Sequence, residues 1–335
     1  MLDKLKIAKY RFTLEARQQL RLPPYKGSTL RGGFGRVFKS TVCFQPQVKS
    51  CGSCLLRQKC PYAYVFETAP PSDSEVLSKN TAVPLPFVIQ PPLERRTAYR
   101  SGETLDFGLV LVGEAINYLP YFVVVFRELG KVGIGWKRGR YVLRQVSAVQ
   151  PLKGAEAIIY DGTDLLVSGE DFSVGYLEIE EQGCHLGEEL GTDPITVNFL
   201  TPTRLKHGGR YVECPDFHVL VRGILRRVSS LYYFHCGQRW ETDYRGLIEQ
   251  AKGIETAAAH TSWMDWKRYS KRQRQRMNLG GFVGQVSYRG DLEPFLSLLV
   301  LGQLVHVGKA CVFGNGWYEI GQSACEHRQK WPYPP

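Results

Sequence analysis

The stretch that decides the fold is WKRYSKRQRQRMNLGGFVGQVSYRG at residues 266–290, followed by LEPFLSLLVLGQLVHVG at 292–308 and GKACVFGNGWYEI at 308–320. Its first part carries seven Lys or Arg and no acidic residue. The pattern predicts a basic strand, a second strand, a buried helix, a glycine-rich turn and a last strand. A basic strand beside a flexible backbone loop is suited to hold a polyanion.

The composition of the whole chain narrows the class of partner. With 335 residues the chain is long enough for two domains, and its formal net charge of +11 favours nucleic acid or an anionic surface. Apolar runs such as YFVVVF are far shorter than the about 20 residues that a membrane-spanning helix needs. The N-terminus, MLDKLKIAKYRF, carries charges where a signal peptide is apolar, so we expect a cytoplasmic protein with no membrane partner.

The predicted elements follow one order twice. The first half contains, in chain order, the strand LKIAKYRFTLEA, the helix GSTLRGGFGRVFKSTV with Ser28 or Thr29 as N-cap, the strands LPFVIQPP and ETLDFGLVLVG, the helix LPYFVVVFRELGKVG and the strand GRYVLRQVSAV. The second half contains the strand DPITVNFLTPTRLK, the helix DFHVLVRGILRRVSSLYYFHCG and then the elements of residues 266–320. Both halves are β-α-β-β-α-β. This order predicts an α+β fold of two tandem ferredoxin-like (RRM-like) domains.

An acidic segment separates the two halves. Residues 154–193 contain eleven Asp or Glu and no Lys or Arg. The plain interpretation is a solvated acidic linker or insertion, favoured over a regulatory acidic arm. The chain then divides into an N-terminal domain at 1–150, a linker at 151–193 and a C-terminal domain at 194–322.

Four of the nine cysteines are clustered within the first half. Cys43, Cys51, Cys54 and Cys60 have the spacing C-x7-C-x2-C-x5-C. A C-x2-C pair gives two thiolates to one metal ion, and the flanking cysteines complete a tetrahedral set. Structural zinc is the first interpretation of this insertion at about 43–60, an iron–sulfur cluster is the second because Pro61 follows Cys60, and four free thiols is the third.

Four segments together resemble a known family. They are LPPYKGSTLRGGFGRVFK, the cysteine cluster ending in CPYAYVFET, WKRYSKRQRQRMNLGGFVGQV and LGQLVHVGKACVFGNGWYEI. The chain resembles the CRISPR-associated endoribonucleases of the RAMP superfamily, which cut precursor crRNA within its repeats. The resemblance implies two ferredoxin-like RAMP domains, a C-terminal glycine-rich loop against RNA, and strand cleavage without a catalytic metal. It also implies CRISPR repeat RNA as a partner, with other CRISPR effector subunits as further partners, for a monomer or homodimer.

Two segments supply the candidate RNA-binding residues. In one extended strand Arg268, Arg272, Arg274 and Arg276 would share a face that tracks phosphates, with Lys267, Tyr269 and Lys271 on the other face and Tyr269 as a stacking platform. The alternative is an exposed charged edge strand, which normally mixes both signs of charge. In the glycine-rich loop the candidates are Gly308, Lys309, Gly314 and Gly316, because glycine lets backbone amides approach a phosphate.

The catalytic residues are the least determined part of the site. Cleavage by the 2′-hydroxyl needs a base, an acid and positive charge beside the phosphorane. Relatives often carry a His on the first helix, but here the first His of the chain is His185 and Arg36 stands in that region. The candidates are therefore Arg36 and Lys39 for charge and Tyr25 or His306 for proton transfer. A second hypothesis follows from the missing His: a crRNA-binding subunit that does not cut.

Overall fold

The structure is a computed structural model that describes residues 2–48, 50–68, 83–163, 171–191, 194–270 and 275–322. The elements of the first half are β1 (Lys6–Ala16), β2 (Leu20–Arg21), α1 (Gly27–Val42), α2 (Pro61–Phe66), β3 (Phe87–Gln90), β4 (Ala98–Tyr99), β5 (Thr104–Val112), α3 (Leu119–Val132), β6 (Tyr141–Val149) and β7 (Glu156–Tyr160). Those of the second half are β8 (Val174–Gly175), α4 (Tyr176–Leu190), β9 (Ile195–Thr203), β10 (Lys206–His207), β11 (Arg210–Tyr211), α5 (Phe217–Cys236), α6 (Tyr244–Ala251), β12 (Glu255–Met264), β13 (Lys267–Ser270), β14 (Gln275–Asn278), β15 (Gly281–Arg289), α7 (Leu296–Val305) and β16 (Tyr318–Gln322).

The two halves use the same strand order. The first sheet runs β3-β5-β1-β6, with β7 added beyond β6 and β8 paired with β1, while the second runs β12-β15-β9-β16. In the first sheet β1 lies in the middle, between β5 and β6, and in the second sheet β9 lies in the middle, between β15 and β16. In both sheets the first strand of the β-α-β-β-α-β order is therefore between the third and the fourth. All pairs in these two sheets are antiparallel. The result is a mixed α/β fold in which the β-α-β-β-α-β order occurs twice.

The first sheet is buried on one whole face and on part of the other. One face, with Phe12 and Leu14, packs against α1 and α3 in one apolar core. The other face, with Ile7 and Val110, belongs to the core that is formed by α5, α7 and the second sheet. In β1 the first face is apolar at alternate positions from Ala8 to Ala16. The second face is apolar only at Ile7, and its later positions are polar and half-buried or exposed.

Four details of the sequence-based prediction are corrected by the structure. Ser28 and Thr29 lie inside α1, which begins after Lys26 without a side-chain cap. The acidic segment is not simply a solvated linker, because it includes β7 and α4, and α4 buries Ile179 and Leu190.

The other two corrections concern the basic segment. It is not one extended strand, because β13 and β14 form a two-stranded hairpin in which Arg268 lies opposite Met277 and Tyr269 opposite Arg276. The strand that pairs with β15 is β12, whose sequence ETAAAHTSWM was not predicted as a strand. The argument that four arginines share one face of a single strand therefore does not apply.

A hydrogen-bonded seam joins the two halves beside α1. The Tyr25 hydroxyl donates to the carbonyl oxygen of Phe313 at 3.0 Å. The same carbonyl oxygen lies 1.9 Å from the position that a Cβ would take on Gly27. Only glycine permits this approach, so α1 begins directly against the loop that precedes β16. Within the described residues, no helix is long and apolar enough to cross a membrane.

The close approach at Gly27 gives a test of the seam. We expect Gly27→Ala to lower the free energy of unfolding by about 1–3 kcal/mol, because the added methyl group forces α1 away from Phe313. Urea denaturation followed by circular dichroism measures the change. The control is Gly52→Ala, whose Cβ meets only the Ser50 hydroxyl at 3.4 Å. Equal stability of Gly27→Ala and the wild type would contradict the tight seam.

Candidate nucleic-acid interface

A cleft of about 1530 Å³ runs along the exposed side of α1. Its walls come from α1, from the loop after β2, from the segment that follows Cys43, from the loop between α3 and β6, and from Trp266 of the second half. None of the described lining residues is acidic. Five of them are cationic: Arg21, Arg31, Arg36, Lys39 and Arg138. Because positive charge is concentrated in a concave surface, the cleft attracts an anionic ligand.

The open face of α1 supplies most of these charges. Arg36 is exposed and Lys39 is half-buried, and both line the cleft. The ammonium of Lys39 also lies 5.9 Å from the centre of the Tyr62 ring. Residues three apart lie on the same face of a helix, so the two cations are neighbours.

Arg31 connects the cleft to the seam. Its guanidinium carbon lies 4.0 Å from the centre of the Phe66 ring and 5.0 Å from that of Phe313. The planar group is therefore held by aromatic rings of both halves, which fixes the charge at one place in the cleft wall.

Tyr25 and His306 lie in the seam and not on the cleft wall. Tyr25 is 2% exposed and His306 is fully buried. The Gln90 amide donates to Nε2 of His306 at 2.9 Å, which leaves the proton on Nδ1, and Nδ1–H donates to the Asn315 carbonyl at 3.1 Å. Burial lowers the pKa of His306 to about 3, so its imidazole is neutral at pH 7. Both ring nitrogens are occupied, and the geometry gives His306 a structural role.

Lys26, the residue after Tyr25, is fully buried. Its ammonium donates to the carbonyl oxygen of Glu94 at 2.8 Å and to that of Pro24 at 3.3 Å. Burial lowers the pKa of Lys26 to about 8, with the Glu94 carboxylate opposing this change. The group is an ammonium at neutral pH, held by carbonyl oxygens below the cleft.

The glycine-rich loop is packed against protein. Gly308, Gly314 and Gly316 have φ values of +87°, +86° and +73°. A Cβ would lie 2.6 Å from the Arg204 carbonyl oxygen at Gly308, 2.2 Å from Pro91 Cδ at Gly314 and 1.8 Å from the Val307 carbonyl oxygen at Gly316. These glycines are required by positive φ and by close contacts within the protein. Between Gly308 and Gly316, only Lys309 is exposed.

The basic hairpin begins at the edge of the cleft. Trp266, the residue before β13, lines the cleft, and its ring centre lies 4.3 Å from that of Tyr25. Lys267, Arg268 and Tyr269 are in β13 and Arg276 is in β14. The predicted RNA-binding residues Lys271, Arg272 and Arg274 lie outside the described residues.

The clustered cysteines share one small cavity. Cys43, Cys51, Cys54 and Cys60 are all half-buried and all line a space of about 20 Å³ next to Lys39. Burial raises the pKa of the Cys51 thiol, while the Lys39 ammonium opposes this change. Within the ranges that the structure describes, no three His, Cys, Asp or Glu side chains are arranged to hold a metal ion.

Several residues of the cleft were not predicted from the sequence. Arg21, Arg138 and Trp136 line it, and Trp136 is 57% exposed. A signal was available in GIGWKRGR at residues 133–140, where glycines alternate with an aromatic residue and three cations.

The buried histidines predict how stability depends on pH. Burial lowers the pKa of His306 to about 3 and that of His235 to about 4, from an ordinary value of 6.5. Between the lowered pKa of each histidine and 6.5, the unfolded chain binds more protons than the folded chain does. The free energy of unfolding therefore falls as the pH is lowered from about 6.5. Each His contributes a slope of at most about 1.4 kcal/mol per pH unit.

The variant His306→Asn tests this assignment. The substitution removes the contribution of His306 to the pH dependence of stability. Urea unfolding at a series of pH values should show a lower free energy of unfolding at pH 7, but a smaller change of this free energy per pH unit in acid. The matched control is His185→Asn, since His185 is exposed on α4. An unchanged slope in His306→Asn would refute the neutral, buried His306.

Comparisons with known proteins agree with this architecture. Residues 197–318 match the family model of the CRISPR-associated endoribonuclease Cas6, and residues 5–171 match a model described as an N-terminal domain. An uncharacterized protein of Archaeoglobus fulgidus is 26% identical over 305 residues, which cover 90% of this chain and 93% of the relative.

Two solved structures share the fold. A product complex of Cas6 from Thermus thermophilus is 20% identical with a TM-score of 0.54, and the alignment covers 94% of this chain and 98% of that one. A partial Cas6-RT-Cas1–Cas2 complex is 15% identical with a TM-score of 0.56, and the alignment covers 98% of this chain but 48% of that one. The match over residues 197–318 confirms the resemblance of this chain to CRISPR-associated endoribonucleases, and the solved structures show that the fold is shared.

Proposed function

We propose that this protein is a CRISPR repeat RNA-binding endoribonuclease that cleaves precursor crRNA within its repeats. The observation that carries the proposal is the cleft along α1, with five cations and no acidic side chain among its described lining residues. The match of residues 197–318 to a family of endoribonucleases supports cleavage as well as binding. Two tandem ferredoxin-like RAMP domains, at 1–150 and 194–322 with the acidic segment between them, would form this binding surface together.

The proposed reaction is attack of a 2′-hydroxyl on the adjacent phosphorus, without a catalytic metal. The bond from phosphorus to the 5′-oxygen breaks, which leaves a 2′,3′-cyclic phosphate on one fragment and a 5′-hydroxyl on the other. Arg36 and Lys39 would stabilise the negative charge that grows on the phosphorane oxygens. Arginine remains protonated and cannot act as the base, so the proton of the 2′-hydroxyl has to leave by another group or to water.

Arg36→Ala tests the role of this charge. In the presence of EDTA, we expect the wild-type protein to cut labelled repeat RNA and Arg36→Ala to cut it about 100-fold more slowly, because one stabilising charge is lost. Single-turnover cleavage followed on a denaturing gel gives the rates. Lys153→Ala, an exposed cation that does not line the cleft, is the matched control.

The same assay distinguishes the mechanism. RNA with a 2′-deoxy nucleotide at the cut site should be bound but not cut, because the attacking oxygen is missing. Cleavage of that RNA, or a requirement for added Mg²⁺, would overturn the metal-independent mechanism.

A second function is favoured by the composition of the cleft wall. None of the described lining residues is a His or a carboxylate, the usual general bases. The protein would then be a crRNA-binding RAMP subunit of an effector complex. Tight binding of repeat RNA without cleavage under any condition would support this function over the first.

We also propose that Cys43, Cys51, Cys54 and Cys60 hold a structural zinc ion. Four thiolates are a complete tetrahedral donor set for zinc, and the four cysteines line one cavity in which the loop would have to draw the sulfur atoms together. Such an ion would fix the loop between α1 and α2, which ends at the cleft. An iron–sulfur cluster is the alternative occupant.

Metal content and thermal stability test the zinc proposal. We expect the purified protein to contain about one zinc ion per chain and Cys51→Ser to lose the ion, with a lower Tm, because a structural ion stabilises the fold that binds it. Elemental mass spectrometry and thermal unfolding give the two measurements. Cys184→Ser, which alters an exposed cysteine of α4, is the control. Protein free of zinc and iron, with equal Tm in both variants, would refute the site.

A further inference from the structure

The loop between α3 and β6 is the counterpart, in the first half, of the glycine-rich loop in the second half. Each loop joins the second long helix of a β-α-β-β-α-β unit to its last strand. The two loops also begin and end alike: each follows a valine, begins with glycine and ends in Gly-x-Tyr, as VGIGWKRGRY at 132–141 and VGKACVFGNGWY at 307–318.

The tyrosine at the end of each loop is anchored in the same way. The Tyr141 hydroxyl donates to the carbonyl oxygen of Phe126 in α3 at 2.8 Å, and the Tyr318 hydroxyl donates to that of Leu299 in α7 at 2.6 Å. A helix glycine faces each of these tyrosines. A Cβ on Gly130 would lie 2.3 Å from the Tyr141 carbonyl oxygen, and one on Gly302 would lie 2.2 Å from the Tyr318 hydroxyl. Sequence, topology and contacts therefore agree that the loops are equivalent.

The two loops differ in what they face. In the loop at 308–316, which lies in the seam, Lys309 is exposed and the other residues are buried or half-buried. The loop at 133–140 is open, and its tip exposes Trp136, Lys137, Arg138 and Arg140. Trp136 lines the cleft and is exposed, so its ring is accessible to a ligand bound there.

Glycines hold the open loop in a fixed shape. A Cβ would lie 2.2 Å from the Arg138 carbonyl oxygen at Gly133, 2.2 Å from the Arg21 carbonyl oxygen at Gly135 and 2.5 Å from the Gln19 carbonyl oxygen at Gly139. Between these glycines, Lys137 and Arg138 have positive φ values of 59° and 50°. The tip is therefore presented in one conformation, which lowers the entropy lost when a ligand binds.

The chemistry of the tip specifies its ligand. The Arg21 guanidinium carbon lies 5.1 Å and the Lys137 ammonium 4.7 Å from the centre of the Trp136 ring. Arg21, Trp136 and Arg138 line the cleft, which has no acidic residue among its described lining residues. Both cations lie over the ring, so a base that stacks on Trp136 takes the place of one of them, and the displaced cation is then beside the phosphates that flank the base.

We propose that the loop at 133–140 binds single-stranded RNA, with one base stacked on Trp136 and the adjacent phosphates paired with Arg21, Lys137 and Arg138. The proposal rests on the proposed function in one respect, namely that the cleft holds RNA. It assigns RNA binding to the loop of the first half, while the equivalent loop of the second half joins the two halves of the protein.

Coupling between the tryptophan and one base tests the proposal. The probe is fluorescein-labelled repeat RNA, either intact or with a single abasic nucleotide at each unpaired position in turn. We expect Trp136→Ala to weaken binding of intact RNA about 10-fold, as for the loss of one stacked base. At one position, abasic RNA should bind the wild type about as weakly as intact RNA binds Trp136→Ala. Trp136→Ala should bind that abasic RNA no more weakly than the wild type does. Fluorescence anisotropy with the full-length protein gives each Kd.

Two further variants separate stacking from loss of structure. Trp136→Phe keeps an aromatic ring and should retain most of the affinity, and all variants should have the Tm of the wild type. Leu177→Ala removes an apolar side chain that is 71% exposed on α4, away from the cleft, and should leave binding unchanged.

Three results would overturn the inference, and they are distinguishable. One such result is that Trp136→Ala binds intact RNA as tightly as the wild type does. Another is that, at every abasic position, the loss of affinity from Trp136→Ala adds in full to the loss from the missing base. Either result would show that the loop does not stack a base, while the proposed function would stand. A docking site for a protein on Trp136 would give the first of these results. Failure of the wild-type protein to bind repeat RNA at all would overturn both the inference and the proposed function.

Discussion

The rest of the molecule depends on the two hydrogen bonds that the neutral imidazole of His306 makes between the two halves. The imidazole accepts a hydrogen bond from Gln90 of the first sheet and donates one to the loop that leads into β16. Asn315 extends the network, since its amide donates to the Leu279 carbonyl oxygen at 2.9 Å. The cleft takes its walls from both halves, with α1 on one side and Trp266 on the other. Its shape therefore depends on the seam, and the seam depends on an imidazole that burial keeps uncharged.

The seam also explains why equivalent loops differ. A backbone with positive φ and no Cβ can approach either a phosphate or another backbone closely, and the sequence alone does not say which. In the loop at 308–316 the close partner of Gly314 is β3 and the residue after it, while Phe313 meets the start of α1. In the loop at 133–140, Gly133 approaches the carbonyl oxygen of Arg138 in the same loop, Gly135 and Gly139 approach residues 19–22 in and beside β2, and the polar tip stays open. The partner of a glycine-rich loop is thus decided by tertiary packing.

Most elements could be predicted because their apolar periodicity is strong. β1, α3, α5 and α7 each bury a clear set of side chains, and their predicted positions agree with the structure. β12 could not be predicted, because ETAAAHTSWM is a strand with little burial and no apolar alternation. The fold of the basic segment into a hairpin also leaves no periodic signal. The cleft itself was beyond sequence reasoning, since Arg21, Arg36 and Arg138 meet only after the first sheet forms. Arg36 and Lys39 were candidates because the resemblance draws attention to the first helix, whereas Arg31 of the same helix was not predicted.

Under the proposed function, the distribution of charge in the cleft distinguishes residues that would hold RNA from residues that would act in cleavage. Cations spread along a cleft bind the ground state and the transition state of cleavage equally, and uniform binding of this kind does not accelerate the chemical step. Only a charge at the scissile phosphate stabilises the phosphorane more than the substrate. Arg36 and Lys39, three residues apart on the open face of α1, are the pair of neighbouring cations that can meet one phosphate group. Arg21 and Arg138, beside the aromatic tip, are suited to hold the strand. On this division of roles, the tip and the middle of α1 serve different steps, and a change at either should alter affinity and rate to different extents.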